Sequence, residues 1–67
     1  MISNYDIERF AAIGLDGYTI THLARWIEMH RTEEQSEKSL NRIYYALVDD
    51  PKMIDDHSWA ELERMAD

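Results

Sequence analysis

The run TEEQSEKSLNRIYYALVDD, residues 32–50, constrains this chain more than any other stretch. Thr32 followed three residues later by Gln35 is a capping box: the hydroxyl takes one orphan amide and the side-chain amide reaches back to the cap. Apolar residues then recur at Leu40, Ile43, Tyr44 and Leu47, the period of one helix face. Glu33, Glu34 and Glu37 lie in the first turns, where the positive end of the helix dipole favours acids. Asp49, Asp50 and Pro51 end the run, because a residue before proline is steered out of the helical region. The spacing therefore predicts a long amphipathic helix with no catalytic signature of its own.

The remaining segments read as shorter helices around it. Asn4 or Ser3 caps a first helix over 4–13, with Ile7, Phe10, Ala11 and Ile13 inward and Asp6, Glu8 and Arg9 toward water. Gly14 supplies the left-handed residue that commonly closes a helix, and 15–18 form a connector with Gly17 as a second flexible point. A second helix starts near Thr19 or Thr21 and runs to about His30, with Ile20, Leu23, Ala24 and Ile27 at i, i+3, i+4 and i+7. Trp26 and Met29 lie beside that stripe. Arg31 and Thr32 are the whole joint to the long helix, so the two must pack antiparallel or at an angle. Pro51 is preorganised to open a single turn over 51–54, and Asp55, Asp56 and His57 form a polar joint. Ser58 with Glu61 is a second capping box, followed by an inner stripe of Trp59, Leu62 and Met65. That last helix is too short to hold alone in water and must borrow stability from packing. The expected fold is one all-α domain over 1–67, a compact three- to four-helix bundle with a helix-turn-helix-like central pair.

Size makes every apolar face matter, since a domain of 67 residues buries only about 60 % of its unfolded surface. With no cysteine there is neither a disulfide framework nor a thiolate metal site. The N-terminus lacks the basic region and apolar run of a signal peptide, and no apolar run reaches the length needed to cross a bilayer. A cytoplasmic protein is expected.

Charge is unevenly placed. From residue 49 onward Asp49, Asp50, Asp55, Asp56, Glu61, Glu63 and Asp67 stand against Lys52 and Arg64, which leaves −5 of the total −7. Such a field repels phosphate and anionic lipid and attracts basic protein surfaces; acidity also simply keeps a small protein soluble.

Residues 20–40 carry the one motif-like likeness. Ile20-Thr21-His22-Leu23-Ala24-Arg25-Trp26-Ile27 resembles the first helix of the helix-turn-helix family, with Leu23, Ala24 and Ile27 at its apolar and small positions and Met29 after the turn. The family would imply DNA binding as a dimer through Arg25, Arg31, Lys38 and Arg42. Three features depart from it, the first being that Glu34 and Glu37 fall where the second helix should present apolar residues to its partner. Glu28 stands where the turn glycine belongs, and Glu33, Glu34 and Glu37 would open the recognition helix toward phosphate.

Other chemistry is thinner. His22, His30 and His57 lack the one-turn spacing of metal motifs, His22 and His30 being two turns apart. The pairs Asp49-Asp50 and Asp55-Asp56 suit caps and solvated joints better than acid–base catalysis. No nucleophile elbow or glycine-rich phosphate loop is present. Tyr45, Trp26 and Trp59, set among acids, have the composition of a binding hot spot, although packing at the rim of a small core accounts for them equally well.

These observations converge on a non-enzymatic protein-interaction module without cofactor or metal. Its acids would engage a basic partner surface, of the kind that holds nucleic acid, and no nucleic acid or membrane directly. The expected contacts are Asp49, Asp50, Asp55, Asp56, Glu61 and Glu63, then Glu33, Glu34 and Glu37, with Tyr45 and Trp26. In size and composition the chain is similar to small acidic phage-encoded inhibitors, including the anti-CRISPR proteins; that likeness implies a host defence complex as partner. The alternatives are the DNA-binding regulator and a homo-oligomer whose exposed aromatics form its interface; the expected state is a monomer or weak homodimer.

Overall fold

A computed structural model describes residues 2–66; Met1 and Asp67, the last of the acids counted above, lie outside the described residues. Helix α1 (Asn4–Ala12) is capped by Ser3 rather than Asn4, the Ser3 Oγ accepting the Asp6 N–H at 3.2 Å. Its inward face differs from the expectation. Phe10 is fully buried, but Ile7 and Ala11 are exposed, and Asp6, expected in water, is 2 % exposed. The cause is a polar network with no signature in local sequence. Arg9 pairs with Asp6 at 2.8 Å, the Ser3 hydroxyl donates to Asp6 at 2.9 Å, and Arg9 Nη2 donates to Asn41 of the long helix at 2.8 Å. A carboxylate so neutralised and bonded can be taken out of water.

Gly14 closes α1 at φ +103°, as expected. The Gly14 N–H bonds Ala11 O and the Leu15 N–H bonds Phe10 O, the paired 5→2 and 6→1 bonds of a Schellman motif. This folds Leu15 back into the core at 4 % exposure, although it reads as connector in the sequence.

Helix α2 (Gly17–His30) begins ahead of Thr19 and Thr21, because Asp16 caps it: its carboxylate accepts the Thr19 N–H at 3.4 Å and also the Thr19 hydroxyl. The stripe of Ile20, Leu23, Ala24 and Ile27 is buried as expected. After the Arg31–Thr32 joint comes α3 (Glu33–Asp49), with both bonds of the Thr32/Gln35 capping box formed, at 3.2 and 3.1 Å. Leu40, Ile43 and Leu47 are buried and Tyr44 half-buried, its ring edge-on to Phe10 at 5.7 Å. Ser39 is buried too and donates to Ala66 O at 2.7 Å.

Pro51 sits at the cap of α4 (Lys52–Asp55), one position before the expected place, and Met53 and Ile54 pack half-buried against the core. The Ser58/Glu61 box caps α5 (Trp59–Met65), which buries Leu62 completely, with Trp59 and Met65 half-buried. Ala66, beyond the expected stripe, is also fully buried. One cluster of Phe10, Leu15, Leu23, Ile27, Ile43 and Leu62 gathers α1, α2, α3 and α5. The described residues form an all-α bundle without strands, and none of its helices is long and apolar enough to cross a membrane.

Candidate protein-interaction surface

The helix boundaries sort the acids into two groups. Glu33, Glu34 and Glu37 open α3, while Asp49 and Asp50 close it and Asp55 and Asp56 close α4; all seven are exposed. The ends of α3 lie about 24 Å apart at 1.5 Å per residue, so the acids form two patches rather than one face. None of these seven carboxylates has a cation within ion-pair distance among the described residues. Glu61 and Glu63 differ. Both are half-buried, and the Glu61 carboxylate accepts the Ser58 N–H and hydroxyl at 3.3 and 3.1 Å, which makes it a structural cap.

At the first patch the bundle adds two acids that their place in the sequence did not single out. Asp6 of α1 and Glu28 of α2 join Glu33 and Glu37 in lining a cleft of about 390 Å³, with Arg31 among them and buried Ile27 and Leu40 beneath. Four carboxylates and one guanidinium make that lining net negative. Helical periodicity places Glu33 and Glu37 on one face of α3; the contribution of α1 is a tertiary fact.

Of the four cations associated with DNA binding, three share one surface and Arg25 does not. Arg31, Lys38 and Arg42 line a second cleft with His30, and Arg42 Nη1 donates to Ala66 O at 3.3 Å. Arg25 lies elsewhere, in an apolar groove beside Ile7 and Ile20. The exposed Glu33 and Glu34 open the first turn of α3.

Aromatic side chains fall into two kinds. Trp26 is half-buried, with His30 stacked on it at 4.7 Å and Arg31 over its ring at 5.2 Å. Trp59 is likewise stacked on His22 at 4.0 Å. These indoles are engaged within the chain. Tyr45 is different, at 62 % exposure. It packs edge-on to Tyr44 at 5.4 Å, the Arg9 guanidinium lies 4.7 Å from the Tyr44 ring, and Tyr5, 68 % exposed, lies 5.3 Å from the same guanidinium. Tyr5 and Arg9 are one helical turn apart and could have been paired from sequence; their meeting with Tyr44 could not.

One carboxyl has a clear electrostatic signature: the Thr19 hydroxyl bonded to Asp16 holds it below its ordinary value. Among the described residues no group of three or more His, Asp or Glu side chains is arranged to hold a metal ion. Compared with known proteins, the chain matches no family model, no curated protein and no solved structure.

Proposed function

We propose that this chain is a non-enzymatic protein-interaction module whose acidic surface binds a basic protein surface, one that otherwise holds nucleic acid, and thereby inhibits it. The observation that carries this reading is the set of seven exposed carboxylates without ionic partners among the described residues, three opening α3 and four closing α3 and α4. Unpaired carboxylates held on helix ends give a directed negative field, which steers encounter with a cationic surface and competes with phosphate for it. The fit to a small acidic phage inhibitor of a host nucleic-acid-binding complex, the anti-CRISPR class, follows from this chemistry and from size. The partner is a cytoplasmic protein complex under this reading, and the chain acts as a monomer or weak homodimer.

The test is capture from host lysate on the tagged protein, in parallel without and with nuclease, followed by washes of rising salt. A basic nucleic-acid-binding protein retained at low salt and released at high salt supports the reading. That protein should be lost when Asp49, Asp50, Asp55 and Asp56 are changed to Lys, or Glu33, Glu34 and Glu37, while the helical circular dichroism is kept. Retention by both reversed variants, or capture of DNA itself, overturns it.

A further inference from the structure

Tyr5, Tyr44 and Tyr45 with Arg9 form one connected array across α1 and α3, in which Tyr44 packs against the core while Tyr5 and Tyr45 stay exposed. Arg9 is its fastener. The guanidinium is held by Asp6 and Asn41 at 2.8 Å each and lies 5.3 Å from the Tyr5 ring and 4.7 Å from the Tyr44 ring. Its charge is matched by Asp6 and it covers one face of the Tyr5 and Tyr44 rings, so the ring surface left to an approaching group is that of the exposed Tyr5 and Tyr45. Val48, 44 % exposed, lies one helical turn from Tyr45 and extends the strip. Glu8 and Asp49, both exposed, stand one turn from Tyr5 and Tyr45 and edge it with carboxylates. Arg42, the cation nearest along α3, is drawn to Ala66 O.

Exposed rings already locked by their neighbours lose little side-chain freedom on binding. Ring faces flanked by carboxylates suit one kind of guest: a long aliphatic stem ending in a cation, which covers a ring and reaches an acid. We propose that the Tyr5–Tyr44–Tyr45 strip is the docking site for a lysine- or arginine-bearing segment of the partner protein. A second copy of the chain fits worse, because it brings Glu8, Asp49 and a net −7 against the same acids. The proposal rests on the interaction-module reading and adds where on the molecule the basic partner sits.

The test uses the full chain, labelled with nitrogen-15, titrated with a helical peptide of alternating Ala and Lys blocks and with its Gln-for-Lys counterpart. The Lys peptide should shift the amides of Tyr5, Glu8, Tyr45, Val48 and Asp49, and the Gln peptide should not. Each ring is expected to contribute about two- to fivefold in affinity, so the double variant Y5A/Y45A should bind about tenfold more weakly. The double variant Y5L/Y45L, which keeps apolar area but removes the ring faces, should lose a similar factor. Y18A is the control, since Tyr18 is 75 % exposed at the start of α2, and it should bind as the parent chain does. Lys-specific shifts confined to the Glu33–Glu37 cleft or to Asp55 and Asp56 would overturn this docking site while leaving the basic-partner reading intact. Silence with both peptides at millimolar concentration would overturn both. Concentration-dependent shifts at Tyr5 and Tyr45 in the chain alone would assign the strip to a second copy and overturn the proposal.

Discussion

At the scale of single residues, Asp6 and Arg9 form a polar pair almost wholly withdrawn from water. Asp6 is 2 % exposed and the Arg9 side chain 10 %, so removing one partner strands the other charge out of water. Arg9→Ala is expected to cost about 3–5 kcal/mol, a large fraction of what a domain this small can have, and urea denaturation should show the transition lost or moved far down. Gly14 is held by its backbone instead. A Cβ there would meet Ile54 at an ordinary 3.5 Å, but φ +103° strains any L side chain, so Gly14→Ala should cost about 1–2 kcal/mol in the same measurement. Asp16 gives a pH dependence. Its folded value is depressed by the Thr19 hydroxyl, so its contribution is present above the ordinary value of 3.8 and is lost as pH falls through the lower folded value. Asp16→Asn keeps a capping side chain but cannot titrate. Acid denaturation of that variant should therefore lack the Asp16 part of the acid limb.

At the scale of elements, legibility in sequence followed locality. The helix over 32–50 was readable because cap, stripe and stop all lie within it, and the structure forms both capping-box bonds. The Ser58/Glu61 box was readable for the same reason. The face of α1 was not, since burial of Asp6 depends on Arg9 and on Asn41, 32 residues farther along than Arg9. Leu15 was hidden by the Schellman turn that returns it to Phe10, and the start of α2 by competition between caps, which Asp16 wins over both threonines. The candidate surface divides likewise. Exposure of the seven acids at the ends of α3 and α4 and of Tyr45 was legible from the sequence, whereas the half-burial of Glu61 and Glu63 and the joining of Tyr5 and Arg9 to Tyr44 needed the fold. The short α5 depends most on its cap, so Ser58→Ala should cost about 1 kcal/mol. Hydrogen exchange should then show faster amides in α5 before those of α2 and α3 change.

At the scale of the whole molecule, a buried core of modest size is built from a chain in which acids outnumber bases by seven. The acids stand in two groups, one at each end of α3, and the tyrosine strip joins α1 to the same helix. A negative body of this kind gains more in rate of encounter than in strength of contact. Its hold on a basic surface should weaken as the screening length contracts from about 10 Å at 0.1 M salt to about 3 Å at 1 M. The most direct measurement is the association rate of the chain with its captured basic partner across that range of ionic strength. The expected rate falls steeply as salt rises, with a shallower fall for the variant with Asp49, Asp50, Asp55 and Asp56 changed to Lys. A rate independent of salt, equal in the parent and the reversed chain, would contradict that expectation.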